Sequence, residues 1–373
     1  MGLYREDEER WQITRLNRVI LIPSLEPDER LPVYIQKLKE GGFAHIVVID
    51  DGSGEAYRPI FDEVDAVENT VVLRHEVNRG KGVALKTGYT YIMEHLQDIT
   101  GVITADADGQ HTVKDCLRMA EQLESGKRAL YLGSRDFNLE NIPPKSRSGN
   151  KITSTVFKLL YGQYLPDTQT GLRAFRKEEL PFMAEVEGER YEYEMKVLIA
   201  CSRAKIPMIP ITIETIYENA NEGTHFHPVR DSWRIYKVIL GSFFKFMASS
   251  LTCWAIDQGL FNLINKVILN NADDSNKPAI FISKAVARVV SGIINFTLNK
   301  KYVFGDKDKS HRAFIRYIIL WSAILLLSSM FTTLFSLLGI NSTITSIIVD
   351  MVLYFVSYRF QESWVFREDV PHE

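Results

Sequence analysis

What is scarce in this chain narrows its class. Its 373 residues hold three cysteines, Cys116, Cys201 and Cys253, far apart and without a CxxC pair. That excludes a disulfide framework and suits a reducing compartment. No Walker-type GxxxxGK loop and no GxGxxG turn occur, so a P-loop is excluded and a dinucleotide fold is disfavoured. A basic block interleaved with aromatics is also missing. With a net charge of -3, nucleic acid is not an expected partner. The charged N-terminus, MGLYREDEERWQITR, has no apolar h-region and does not read as a signal peptide. Long apolar runs are absent from the first part and frequent after about residue 240. The mean hydropathy of -0.09 therefore averages two unlike parts.

The first part alternates apolar β-type runs with helical patterns. RVILIPS (18–24), HIVVIDDGS (45–53), NTVVLRHEVN (69–78), GVITADADG (101–109) and RALYLGSR (128–135) read as strands. Helical segments follow near 28–41, 81–96 and 112–125. This order predicts βαβ units and a mostly parallel sheet, with ligands at the carboxyl ends of the strands. The unusual polar clusters fall there: Asp50-Asp51, Asn78 to Gly82, Asp106 to His111, and Gly133 to Arg135.

From Val229 the pattern changes. Arg230, Arg234, Lys237 and Lys245 mix with Trp, Tyr and Phe, as in a helix lying in a membrane interface. Four candidate spans follow, at 246–269, 279–299, 314–338 and 341–361, each near the ~20 residues a bilayer requires. Asp257, Lys284, Arg288 and Asp350 interrupt them and are candidates for a polar path, or for pairing with one another. The loop after the second span carries Lys300, Lys301, Lys307, Lys309, Arg312 and Arg316, which places it, both termini and the α/β part in the cytoplasm. NFTLNKKYVF (295–304) and SYRFQESWVF (357–366) form a faint repeat that two related helical hairpins would explain.

Among the motifs, ADADGQH (105–111) is the sharpest. Asp106 and Asp108, with Gln110 at the same spacing, offer oxygen ligands at a strand end and suit Mg²⁺ or Mn²⁺. Such an ion offsets charge on a departing diphosphate. Asp50 and Asp51 can accept hydrogen bonds from a base or a ribose, or cap the next helix. Gly80 and Gly82 allow close backbone approach, and Lys81 offers phosphate charge. Glu192 and Glu194 open a helix, where they position a cation or support the helix dipole.

IPSLEPDE, VVIDDGSG, NRGKGVALKTG, ADADGQH, GSR (133–135), KSRSGNK (145–151) and PDTQTGLRAFR (166–176) together resemble family-2 glycosyltransferases with a GT-A fold. More narrowly, they are similar to the dolichyl-phosphate mannose synthase and polyprenyl-phosphate glycosyltransferase group. The resemblance implies that Asp106, Asp108 and Gln110 hold the metal. It places Pro23 and Asp50 or Asp51 at the nucleoside, with Lys81 nearby. Arg135 and Arg147 would meet the donor diphosphate or the acceptor phosphate, and Asp167 and Gln169 would face the acceptor. Gln169 and Arg173 are four apart and Ala174 follows, unlike the Gln-x-x-Arg-Trp of processive synthases. Two departures leave the donor open. Pro23-Ser24-Leu25-Glu26-Pro27 lacks the family's base-stacking Tyr and its Glu. ENANEGTHFHPVR (218–230) puts His225, His227 and Arg230 where a Gly-x-Ser-Lys is usual; phosphate contacts or a loop role fit these histidines better than zinc. The apolar half is similar to GtrA-like four-helix domains through NFTLNKKYVF and SWVF.

The expected architecture is an α/β GT-A domain, a Rossmann-like nucleotide-diphospho-sugar transferase fold, over 1–228. An interfacial helix at 229–245, a four-helix membrane domain at 246–366 and a tail at 367–373 follow. The expected activity is inverting, metal-dependent transfer from a UDP- or GDP-sugar to a polyprenyl phosphate at the cytoplasmic membrane face. In it Asp108, Arg135 and Arg147 are the catalytic candidates. A homo-oligomer is compatible with this reading. The rivals are transfer to a sugar hydroxyl, with a base such as Asp167, and a flippase or scaffold with a degenerate transferase domain.

Overall fold

The structure, a computed structural model, describes residues 16–137, 139, 142, 144–214, 228–270, 276–305, 311–338 and 341–366. By internal contacts the chain divides into two units, Met1–Ile239 and Leu240–Glu373.

The first unit runs β1 (Leu16–Ser24), α1 (Arg30–Glu40), β2 (Phe43–Asp50), α2 (Arg58–Asp65), β3 (Thr70–Arg74), α3 (Lys81–His95) and β4 (Gly101–Thr104). It continues through α4 (Val113–Glu124), β5 (Leu130–Ser134), α5 (Pro144–Tyr161), β6 (Arg173–Arg176), α6 (Leu180–Glu185), α7 (Glu192–Arg203) and β7 (Met208–Thr212). The sheet order is β3-β2-β1-β4-β6-β5-β7. All pairings are parallel except those of β6, which is antiparallel to both β4 and β5.

The near-continuous apolar run of β1 fits a strand covered on both faces, and Val19 to Ile22 are fully buried. Ile20, Ile22, Val48 and Ile103 join Leu31, Ile35, Phe61, Met119 and Leu123 from the helices in one core. The three cysteines are buried and unpaired. Register sets the site. Ser24 pairs with Asp50, so β1 and β2 end level, while Thr104 pairs with Leu21, so β4 ends three residues short of them and the chain from Ala105 continues toward the same edge. The chain winds from β1 outward to β2 and β3, then crosses to β4 on the far side of β1. A crevice opens at the carboxyl ends where such a sheet reverses direction.

The second unit is apolar on the outside. One helix, α8 (Pro228–Asn262), runs through both the juxtamembrane segment and most of the first expected span, then closes in a π turn, Leu263–Ile268. α9 (Lys277–Leu298), α10 (Arg312–Leu337) and α11 (Ser342–Phe360) follow. Among the described residues, Ile235–Ile268, Lys277–Val303 and Arg312–Phe335 are long and apolar enough to cross a membrane. The NFTLNKKYVF/SYRFQESWVF repeat has a structural counterpart. Asn299–Val303 and Gln361–Val365 both wind into π turns. Asn299 donates to Gln361 at 2.9 Å, and Phe304 stacks on Phe366 with centroids 5.1 Å apart.

Candidate active site

Beyond the end of β4 the chain carries Ala105 to His111 into the crevice, and α4 then starts with a reciprocal cap. Thr112 accepts from the Asp115 N–H at 3.1 Å and donates to its carboxylate at 2.7 Å. The DTQTG segment lies directly alongside. The Thr104 hydroxyl donates to Gly171 O at 2.8 Å, and a Cβ on Gly171 would sit 2.4 Å from Asp106 Oδ2. Only glycine lets that backbone come so close to the carboxylate.

Both Asp106 oxygens are engaged. Lys81 Nζ lies 2.8 Å from Oδ1 and His111 Nε2 lies 3.2 Å from Oδ2. Lys81 is simultaneously 2.9 Å from Glu194 Oε1. Burial alone would raise the Asp106 carboxyl, but Lys81 and His111 outweigh it and hold it well below the usual carboxylate range. Burial would likewise lower the Lys81 ammonium, and the two carboxylates reverse this and keep it charged. Gly80 and Gly82 serve this pairing. A Cβ on Gly80 would meet Glu189 O at 2.6 Å, and one on Gly82 would meet Tyr193 Cβ at 2.7 Å. Their close approach is thus to the segment that delivers Glu194.

Asp108 is placed differently. It accepts the Gln110 N–H at 3.0 Å. Burial, and then the negative charge of Asp106, push its carboxyl up. Its charge lacks the close cationic partners that Asp106 has. No group of three or more His, Cys, Asp or Glu side chains gathers at metal-holding distance among the described residues. The donor set is nevertheless hard oxygen: Asp108, Gln110 and the remaining lone pairs of Asp106. Magnesium-type ions accept one or two carboxylates and complete their shell with phosphate and water, so these residues fit one.

The nucleoside candidates divide. Asp51 is spent on the loop that follows β3: Arg79 N and Gly80 N donate to it at 3.0 and 2.7 Å, and His75 Nδ1 lies 2.7 Å from it. The Asp50 carboxylate accepts only the Ser53 N–H, at 2.9 Å, among the described residues. Pro23 is half-buried at the end of β1, next to Ser24, whose buried hydroxyl has no partner among the described residues.

On the acceptor side, Arg135 and Asp167 pair through two bonds, Nε–Oδ2 at 2.7 Å and Nη2–Oδ1 at 3.2 Å. The Arg135 N–H adds a third bond, to Oδ2 at 3.4 Å, and the Gln169 N–H a fourth, to Oδ1 at 3.0 Å. The Asp167 side chain is fully buried, that of Arg135 is 31% exposed, and the guanidinium lies over Phe137. Arg147 is exposed on the first turn of α5 and donates to Leu139 O at 2.8 Å; among the described residues no bond ties it to the Asp106 cluster. The Gln169 side chain is exposed. His225 and His227 lie outside the described residues.

Sequence reasoning did not assign two groups here. His111 sat inside the ADADGQH motif without a role. Arg173, buried in β6, donates to Thr170 O at 3.0 Å and to Glu194 O at 2.8 Å, tying the DTQTG segment to α7. Glu194 does position a cation, and the cation is Lys81. In the second unit Asp257 pairs with Lys284 and Arg288, as the pairing alternative holds. Asp350 accepts from Ser328 at 2.6 Å and lines a cavity of about 280 Å³ with Asn295, Tyr317, Ser357 and Gln361.

A mostly parallel sheet with acidic groups at its reversal point, joined to apolar helices, fits a membrane-bound α/β transferase. Residues 20–180 match the family described as Glycosyl transferase family 2, and residues 245–366 match the family described as GtrA/DPMS, transmembrane domain. The chain is therefore a membrane-associated glycosyltransferase. It is 29% identical over 240 residues to an uncharacterized protein of Methanocaldococcus jannaschii, covering 62% of this chain and 96% of that one. It is also 29% identical over 215 residues to the UDP-N-acetylglucosamine–dolichyl-phosphate N-acetylglucosaminyltransferase of Methanococcus voltae, covering 53% and 85%. Among solved structures, glucosyl-3-phosphoglycerate synthase from Mycobacterium tuberculosis, crystallised with Mn²⁺ and UDP, matches with a TM-score of 0.46 at 13% identity, over 65% of this chain and 84% of that one.

Proposed function

We propose that this chain moves a sugar, with inversion, from a UDP- or GDP-sugar to a polyprenyl phosphate at the cytoplasmic face of the membrane. One observation carries the choice of acceptor. Asp167, the base that a hydroxyl acceptor would need, is buried with both oxygens bound to Arg135. Its oxygens are turned to Arg135 and the Gln169 N–H rather than toward an acceptor hydroxyl. A phosphate acceptor is already anionic and needs no strong base. The name of the Methanococcus voltae relative supports the same acceptor class.

In this reading one phosphate oxygen of the lipid forms the bond to the anomeric carbon. The bond to the nucleoside diphosphate breaks, and the diphosphate leaves with the electron pair. Asp50 and Pro23 border the nucleoside, while Asp51 shapes the loop beside it. Arg135, held in plane by Asp167, meets phosphate oxygens, and Arg147 serves the acceptor from the start of α5. Lys81, fixed between Asp106 and Glu194, keeps positive charge beside the diphosphate path. Asp108 and Gln110, with Asp106, would hold Mg²⁺ or Mn²⁺, which supplies charge compensation for the departing diphosphate. The rest of the rate rests on positioning and preset charge. The proposed division is a catalytic domain at 1–228, a juxtamembrane segment at 229–245, a four-helix membrane domain at 246–366 and a tail at 367–373.

The test is a panel of UDP- and GDP-sugars with undecaprenyl phosphate and Mg²⁺ or Mn²⁺, read as released nucleoside diphosphate. One donor should turn over and EDTA should stop it. Full turnover in EDTA would remove the metal from the account.

A further inference from the structure

We propose that Lys284, Arg288 and Asp257 form a binding site for the phosphate group of an anionic lipid, on the outer surface of the apolar helices. The proposal is independent of the transfer reaction above.

Asp257 lies within the span Ile235–Ile268, and both cations lie within Lys277–Val303. The Asp257 side chain is 3% exposed. Lys284 Nζ is 3.0 Å from its Oδ2, and Arg288 Nε is 3.7 Å from its Oδ1. Ser291 donates to Oδ1 at 3.3 Å, and Gln258 donates to Oδ2 at 3.2 Å. Lys284, Arg288 and Ser291 stand at i, i+4 and i+7, so they share one face of α9. The cluster therefore holds two cations and one carboxylate, with one positive charge in excess.

That excess faces outward. The side chains of Lys284 and Arg288 are 39% and 56% exposed, while the carboxylate between them is not. The Arg288 terminal nitrogens have no acceptor among the described residues. The surface around them is apolar, with Phe281, Ile282 and Val289 exposed. The cations stand roughly 10–17 Å along α9 from its first residue, at a rise of 1.5 Å per residue. An uncompensated charge at such a place in a span is costly and is met by a counter-charge or by reach toward the interface.

The chemistry of the cluster selects the counter-charge. Asp257 holds the ammonium and the guanidinium side by side, although they repel each other. Arg288 approaches Asp257 with its inner nitrogen, which leaves its terminal nitrogens to meet two phosphate oxygens. Lys284 adds a point charge on the same side. A lipid phosphate brings its acyl or prenyl chain along the apolar surface that surrounds the site.

Native mass spectrometry of the full-length protein, released from detergent with added lipid, tests this. Wild type should retain phosphatidylglycerol, which is not the proposed acceptor, at least tenfold more than neutral diacylglycerol. R288Q and K284Q should each lose that preference. R288K should lose part of it, because charge remains without the fork. Equal retention of diacylglycerol by wild type would overturn the proposal, a readout that needs no variant to fold. So would unchanged anionic retention in a monodisperse R288Q. Displacement of the lipid by millimolar inorganic phosphate would overturn the lipid assignment in favour of a soluble ligand.

Discussion

Replacing Asp167 by Asn separates the two acceptor readings. The Asn side chain keeps the volume but loses the charge, and its NH₂ would point at a guanidinium that also donates. Two bonds from the Arg135 guanidinium, one from its backbone N–H and one from the Gln169 N–H converge on this carboxylate. Hydrogen bonds to charged groups contribute roughly 1.5–3 kcal/mol each, and losing one partner of a buried pair costs about 3–5 kcal/mol. Arg135 is partly exposed and recovers some of this from water, so a net loss of about 2–3 kcal/mol in its placement is reasonable. At 1.36 kcal/mol per factor of ten, that is roughly 30- to 150-fold in kcat/KM. The assay is transfer to undecaprenyl phosphate across pH. A positioning role lowers the whole profile and leaves its shape. If wild type shows an acidic limb that D167N abolishes, Asp167 is a base and the phosphate-acceptor argument fails.

Three further outcomes follow from the site. E194Q leaves buried Lys81 with one carboxylate, and should cut transfer about tenfold and lower the melting temperature by a few degrees, about 1–2 kcal/mol; unchanged activity would show that Lys81 needs no second anion. G171A drives a Cβ to 2.4 Å from Asp106 Oδ2 and should remove most activity with little change in far-UV circular dichroism; a fully active variant would mean that the DTQTG segment does not set Asp106. Protons compete with metal at Asp108, whose carboxyl is pushed up by burial and by Asp106. The protonated form is neutral, so Mn²⁺ affinity should be full above that raised value and fall as pH drops through it, earlier than for an ordinary carboxylate. A calorimetric Mn²⁺ titration that is flat from pH 7 to 4 would rule this out.

Much of the fold was legible because it rests on local pattern. The apolar runs at 18–24 and 45–53 and the helix at 81–96 recur within a few residues of their expected bounds, as β1, β2 and α3. β6 was not legible as a strand. Arg173–Arg176 is four residues long and runs against its neighbours, so its place depends on pairing with β4 and β5 rather than on periodicity. The membrane half showed its helices by length and composition. The joining of α8 across the expected boundary near 245 did not show, because aromatic and basic residues mark an interface without breaking a helix.

The site divides in the same way. Residue types at strand ends drew attention to Asp50, Asp51, Asp106 and Asp108. Partner choice could not be read, because it depends on contacts far apart in sequence. Lys81 meets Glu194 more than a hundred residues away, and Arg135 meets Asp167 across the connection between β5 and β6 that contains α5. The glycines of NRGKG read as room for phosphate, yet the neighbour that fills the space is Glu189 to Tyr193. A glycine signals that something comes close, and the fold decides what.

The central claim is transfer to a lipid phosphate. Purified protein in nanodiscs, given its donor sugar and Mn²⁺, should be offered undecaprenyl phosphate, neutral undecaprenol and a free saccharide, with products read by mass spectrometry. The account predicts a glycosyl phosphoryl lipid from undecaprenyl phosphate alone. A product on undecaprenol or on the saccharide at comparable rate would contradict it.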